Sequence, residues 1–285
     1  MCCCSRTGAS RSCLSASAAV ATTATSPFSV RVRRVGPHVT VESRGELALV
    51  RLDRPPANAL NPEVLAQFEA VRQDLANDPP AAVVITGRER FFSAGVDLKL
   101  VPTMGPDDQR AMVEGINRLV VGWYGFPRPV VAAVTGHAIA GGMVIALCAD
   151  YRVGASEGKL GLTELRAGVP YPVGAISLVR AELSPPAARA LALRAHLVEP
   201  DEALRLGLVD ELAGPDEVLE RACDVAQQMA QFGGDSYGRT KLELRGETLR
   251  RIQEAVDAGD PLLEAWLDED SPRAAATVLR RGRQN

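Results

Sequence analysis

Thr135-Gly136-His137-Ala138-Ile139-Ala140-Gly141-Gly142 directly follows the apolar run 130–134 and leads into a second apolar run that ends near Asp150. Five consecutive apolar residues before a turn read as a strand buried on both faces, and a glycine-rich turn into a longer apolar segment reads as a helix start. The same grammar recurs upstream. The apolar run 81–86 precedes Phe91-Phe92-Ser93-Ala94-Gly95-Val96-Asp97-Leu98, a helical pattern spans 107–123, and Phe126-Pro127-Arg128-Pro129 links it to the next strand. Strand and helix take turns, which defines an α/β architecture.

Working outward, residues 39–43 and 46–52 alternate apolar and polar about Arg44-Gly45, the pattern of a hairpin with one inward face. Asn61 precedes Pro62, and Val64, Phe68, Val71 and Leu75 recur at helical spacing, so Asn61 caps a helix there. Tyr151 to Ala155 and the short 159–161 segment are read as the last strands before mostly helical sequence. Ser184-Pro185, Glu199-Pro200-Asp201, Pro215-Asp216 and Ser271-Pro272 are helix-start signals, and Gly207 is a helix stop. The expected division is an N-terminal tract 1–37 outside the fold, a core 38–212 and a C-terminal helical region 213–285 whose apolar faces need a neighbour, another subunit being one candidate.

Composition narrows the function. With 285 residues, 46% of them hydrophobic, the chain can bury one large core. A net charge of −3 and a pI near 5.8 give no general attraction to nucleic acid or anionic membrane. No apolar run reaches the length of a membrane span. Four of the six cysteines, Cys2, Cys3, Cys4 and Cys13, crowd the N-terminal tract, while Cys148 and Cys223 stand alone, so a reduced compartment fits better than a disulfide framework. Residues 1–37 carry five arginines and no acid, the first carboxylate being Glu42. That composition reads as a mitochondrial transit segment or as a start placed too early; the corresponding locations are the mitochondrial matrix and the cytoplasm, and disorder is expected in both cases.

Chemistry is concentrated in the two glycine loops. Glycine lets the main chain approach a crevice that a Cβ would fill, so peptide N–H groups can face into it. Two such groups make an oxyanion hole, and the second loop adds a helix N-terminus that favours negative charge on a ligand oxygen. Taken singly, either loop reads equally as a tight turn.

Together with their surroundings, these stretches resemble the enoyl-CoA hydratase/isomerase, or crotonase, superfamily. The resemblance is carried by Arg54-Pro55-Pro56-Ala57-Asn58-Ala59-Leu60, by the two loops above, by Cys148-Ala149-Asp150 and by Gly161-Leu162-Thr163-Glu164 running on to Gly168-Val169-Pro170. It covers about residues 38 to 255 in order and spacing. It implies a spiral of ββα units, an oxyanion hole from the N–H groups of Val96 and Gly141, and assembly as homotrimers or homohexamers. It also implies that the adenine and pantetheine of an acyl-CoA lie against Ala57, Ala59, Ala94 and the loop Val96, Asp97, Leu98 and Lys99. Coenzyme A is then part of the substrate and no separate cofactor is expected.

One departure bears on the reaction. Family members that hydrate enoyl thioesters grip water with two glutamates; here the first position falls at Val144 and only Glu164 remains. A lone carboxylate suffices to carry a proton between two carbons of one acyl chain, which is double-bond isomerisation of the Δ3,Δ2 type. An apolar setting from Leu162, Leu165, Val144 and Ile139 should raise the Glu164 pKa. A surface salt bridge is the alternative for Glu164. The other open readings of the chain are hydratase, decarboxylase or hydrolase chemistry, and a non-catalytic acyl-CoA or RNA binder. His137 next to the second loop reads as a packing residue rather than an acid, Asp97 as a turn cap, Asp150 as a structural ion pair and Tyr171 as a wall of the acyl pocket. Lys99 or Arg54 are candidates for the coenzyme's 3′-phosphate. His38 and His196 lack companions at ligand spacing, so no metal is expected.

Overall fold

The structure, a computed structural model, describes residues 31–267. Three consecutive segments each run strand, short strand, helix. The first is β4 (Ala82–Thr86), β5 (Phe91–Ser93) and α2 (Pro106–Tyr124); the second is β6 (Val130–Val134), β7 (His137–Ile139) and α3 (Gly141–Leu147); the third is β8 (Tyr151–Ala155), β9 (Leu160–Gly161) and α4 (Val173–Glu182). The first strands of these units lie side by side and parallel in a large sheet, and the second strands do so in a small one. The result is a spiral of ββα turns, the crotonase-type α/β fold.

The large sheet has seven strands, beginning with β1 (Arg31–Arg34), β2 (Val39–Arg44) and β3 (Leu47–Leu52), continuing through β4, β6 and β8, and closing with β11 (Glu211–Ala213). β2 runs antiparallel to both of its neighbours, β1 and β3, and from β3 to β11 every neighbour is parallel. The small sheet runs β10 (Leu197–Val198), β9, β7, β5. Strands β4 and β6 are buried along their full length, as continuous apolar runs demand when both faces of a sheet are covered.

Helix α1 (Pro62–Asn77) begins where the sequence places it: Asn61 accepts a hydrogen bond from Val64 N at 2.8 Å, and Val64, Phe68, Val71 and Leu75 are buried. Phe68 stacks on Trp123 of α2 with ring centroids 4.8 Å apart, joining the two helices over one face of the sheet. Past α4 come α5 (Pro185–Ala188), α6 (Pro200–Leu206), α7 (Val218–Ala230), α8 (Gly234–Asp257) and α9 (Leu263–Trp266). Gly207 takes the left-handed conformation, φ 78°, that ends α6.

The structure corrects the expected boundaries at both ends. Residues 31–34, assigned by sequence to a tract outside the fold, form an edge strand paired with residues 40–43. A limit at residue 212 cuts β11, which pairs residue for residue with β8. The C-terminal region also finds its neighbour within the same chain. α7 buries Val218, Ala222, Val225 and Ala226 against the second face of the large sheet. α8 is held by charge: Asp150 pairs with Lys241 and with Arg245, both at 2.7 Å, and the Arg245 guanidinium lies 4.1 Å over the Tyr124 ring. Asp150 is thus the structural ion-pair residue that its position suggested. The start signal Ser271-Pro272 and most of the N-terminal tract lie outside the described residues. Among the described residues no helix is long and apolar enough to cross a membrane.

Candidate active site

Two loops and a short helix converge on one cavity. The loop after β5 is clamped from the side: Leu60 N donates to Gly95 O at 2.7 Å and Asp97 N donates to Leu60 O at 2.9 Å. In extended chain successive peptide groups face opposite ways, so with residues 95 and 97 turned towards Leu60 the Val96 N–H points away from it. Ser93 fixes the turn further, its hydroxyl donating to Asn58 O at 2.7 Å and accepting from Gly95 N at 3.2 Å. Asn58, buried, donates to Phe91 O and Phe92 O and so ties the 54–60 segment to β5.

The loop after β7 meets the first one backbone to backbone. A Cβ on Gly95 would stand 2.7 Å from Ile139 O and 3.0 Å from Gly141 N, closer than real Cβ contacts, and Gly95 has φ 77°. Ala140 adopts φ 51°, ψ −123°, a rare conformation for a residue with a side chain, while its N–H donates to Gly161 O at 2.8 Å. That turn leaves Gly141 at the first position of α3, where its N–H has no intrahelical acceptor. Neither Val96 N nor Gly141 N has a hydrogen-bond partner among the described residues. α3 is two turns long and ends at Leu147 rather than near Asp150, so it carries little of a long helix's dipole.

The cavity has a volume of about 230 Å³ and is mainly apolar; Ala94, Val96, Leu98, Gly141 and Glu164 are in its wall, and Val144 faces the same space. Glu164 begins a 3-10 turn, residues 164–167, and is 9% exposed, with Oε2 buried and unpartnered. Burial pushes its carboxyl up to about 7, opposed in part by the nearby backbone of residues 163 and 164 and by the polarity of the Tyr171 hydroxyl. Tyr171 is buried beside it, its hydroxyl donating to Ala192 O at 3.4 Å; burial and the neighbouring carboxylate push the phenol upward, so it stays neutral. Among the described residues Glu164 is the one carboxylate in the cavity wall.

The sequence foresaw the apolar setting of Glu164 but misplaced Leu165. Val144 and Ile139 line the cavity, whereas Leu162 is buried outside its wall and Leu165 is exposed. At three residues per turn, Glu164 and Ala167 share the inward side of the 3-10 turn and Leu165 is turned outward.

The remaining predicted residues fall around this centre. Ala57 O accepts from Ala94 N at 3.0 Å, and Ala59 O accepts from Arg54 Nη1 at 3.0 Å, so both brace the first loop. Asp97 caps the local turn, accepting from Lys99 N at 3.2 Å, and also pairs with Arg54 at 2.9 Å. Arg54 is therefore committed within the protein, while the Lys99 side chain is exposed. His137 packs its ring at a tilt against Phe91 and its Nδ1 accepts from Lys159 N at 3.1 Å. Partial burial, with Arg90 and Lys159 nearby, lowers its pKa, and it is not in the cavity wall. Sequence reading missed Trp266 and Ile116, both buried and both lining the cavity. A lone tryptophan about 100 residues from Glu164 carries no local signal, since only the packing of α9 brings it back.

A ββα spiral in which the loops bearing Val96 and Gly141 and one buried carboxylate line a shared apolar cavity is the arrangement of the crotonase class of protein. The comparisons agree. The profile of the enoyl-CoA hydratase/isomerase family matches residues 42–280, and the chain belongs to that family. A Thermus thermophilus protein named as an enoyl-CoA hydratase is 38% identical over 203 residues, 70% of this chain and 80% of that protein. Among solved structures, the enoyl-CoA hydratase EchA3 of Mycobacterium ulcerans superposes with a TM-score of 0.76 at 30% identity, covering 81% of this chain and all of that one. Human mitochondrial Δ3-Δ2-enoyl-CoA isomerase superposes with a TM-score of 0.81 at 27% identity, covering 87% and 99%.

Proposed function

We propose that this protein shifts the double bond of an enoyl-CoA from the 3,4 to the 2,3 position, with Glu164 as the one acid/base group and the N–H groups of Val96 and Gly141 as the oxyanion hole. The observation that carries this reading is that Glu164 is the one carboxylate lining the cavity among the described residues, while Val144, which lines it too, can neither take nor give a proton. The Glu164 carboxylate takes a proton from the carbon between the thioester and the double bond. The electron pair spreads through the carbonyl onto oxygen, where the two amides stabilise it, and the new acid returns the proton at the far end of the former double bond. No water enters the balance. Each amide of such a hole supplies about 3 kcal/mol of transition-state stabilisation.

A carboxyl pKa of about 7 suits a group that must both accept and return a proton near neutral pH. Coenzyme A enters as part of the substrate, its adenine and pantetheine lying along Ala57, Ala59, Ala94 and the 96–99 loop, and trimeric or hexameric assembly belongs to the same reading. Hydration is the second reading, favoured by the names of several relatives. It requires a second polar group beside Glu164 to hold the water, and the position that the family resemblance assigns to that group is Val144. The deciding assay supplies 3-enoyl-CoA and trans-2-enoyl-CoA separately. Migration of the double bond without 3-hydroxyacyl-CoA supports isomerisation, and hydration at a comparable rate overturns it.

A further inference from the structure

The inner end of the cavity is closed by a residue from the far end of the chain. Trp266, on α9, is 4% exposed and lines the cavity together with Ile116 of α2 and Ala175 of α4, both also buried. Leu98 and Arg166, by contrast, retain solvent contact and mark the mouth. The indole is fixed at its edge, Nε1 donating to Pro170 O at 2.8 Å. The turn that carries α9 is fixed as well. Asp260 accepts from Asn117 Nδ2 at 2.8 Å and from Val173 N at 3.0 Å through one oxygen, and from Leu262 N at 2.9 Å through the other. Asn117 in turn accepts from Gly174 N at 2.8 Å, so α2, α4 and the α9 turn share one polar knot. A wall held at both its edge and its base does not yield readily to a longer ligand.

We propose that Trp266, positioned by Asp260, is the specificity-determining residue of the acyl pocket and limits it to short acyl chains. This rests on the thioester reading above and adds the substrate class to it. The volume sets the limit: a dry cavity of about 150 Å³ holds benzene, so one of about 230 Å³ holds roughly nine non-hydrogen atoms. After the thioester carbonyl and sulfur take their share, room remains for an acyl chain of about four to seven carbons. A chain of twelve or more meets the indole.

The test uses binding rather than turnover, so that it does not depend on which reaction follows. Saturated acyl-CoA thioesters of four, six, eight, twelve and sixteen carbons are titrated calorimetrically into the wild-type protein and into Trp266→Ala, Trp266→Phe and Asp260→Asn. The wild type should bind tightest at four to six carbons and at least tenfold more weakly at twelve. Trp266→Ala, which frees the room of an indole ring, should move the optimum to twelve carbons or beyond. Trp266→Phe should move it part of the way, and serves as the readout if the alanine variant does not fold. Asp260→Asn should broaden the preference without moving its centre. Wild-type affinity that keeps rising to sixteen carbons, or a folded tryptophan variant with an unchanged profile, overturns the proposal and leaves the thioester site standing. Failure of every acyl-CoA to bind overturns both.

Discussion

Gly95 and Gly141 meet through their main chains: a Cβ on the first would lie 3.0 Å from the amide nitrogen of the second and 2.7 Å from Ile139 O. The contact brings the Val96 and Gly141 amides to one place, because each is carried by a loop that could not approach the other with a side chain between them. Gly95→Ala should therefore fail twice. The residue sits at φ 77°, and the obstruction is backbone that cannot rotate away, so we expect a stability loss of about 2–3 kcal/mol in chemical denaturation. A variant that survives should still lose at least tenfold in turnover, because the loops are forced apart. Unchanged turnover in a folded Gly95→Ala protein would separate the two amides from the chemistry.

Glu164→Gln keeps the shape of the side chain and removes its proton chemistry. We expect turnover to fall by roughly 10²–10⁴ while the affinity for a saturated acyl-CoA changes little. Wild-type kcat/KM should rise with pH through about 7 and then level, since the base form starts the reaction. A rate independent of pH between 5.5 and 8.5 would assign the proton to another group.

The same carboxyl links pH to stability. Its folded pKa of about 7 lies above its ordinary value of 4.5, so between those values the folded protein holds more protons than the unfolded chain. Stability associated with Glu164 is then greatest below about pH 4.5, declines as pH rises to about 7, and stays low above it. Glu164→Gln should be more stable than wild type at pH 8 by up to roughly 3 kcal/mol, and the gap should close on acidification. Denaturation midpoints at pH 5 and pH 8 measure it; equal gaps at the two values contradict the buried, unpaired carboxyl.

Val144→Glu adds a second carboxyl to the wall of the cavity that Glu164 lines. It should create measurable hydration of trans-2-enoyl-CoA, read as 3-hydroxyacyl-CoA by chromatography, at some cost in isomerisation. Two buried carboxyls repel, which raises the pKa of one and keeps it protonated, so the new activity should fall away again at high pH where the isomerase activity stays level. A folded variant with no hydration would show that water is excluded by more than the missing group.

Asp150 holds two buried cations, Lys241 and Arg245, and its removal leaves both uncompensated. Burial already lowers the Lys241 ammonium to about 8, a drop that Asp150 opposes. Asp150→Ala should cost about 3–5 kcal/mol and release α8, seen as faster amide exchange along residues 234–257. Pairing it with Lys241→Met should recover part of that loss.

Much of this was legible beforehand wherever the signal is local. The Asn61-Pro62 helix start, the buried runs of β4 and β6, the αL stop at Gly207 and the two glycine loops are each written within a few residues, because caps, periodicity and turn conformations depend on near neighbours. The family motifs added Val96, Gly141 and Glu164, and the structure brings those three to one cavity. The outward turn of Leu165 was missed because a 3-10 turn and an α-turn look alike in sequence.

What the sequence by itself determined is the alternation of strands and helices, the positions where the backbone must be bare, and the presence of one carboxylate where hydrating relatives have two. Tertiary structure alone decided that Arg54 is spent on Asp97, that α7 covers the second sheet face, that β1 extends the sheet, and that Trp266 closes a cavity about 100 residues from its own place in the chain. The physical reason is range. Backbone preference and capping act over a handful of residues, whereas burial and ion pairing act between any groups that the packed core happens to bring within a few ångströms.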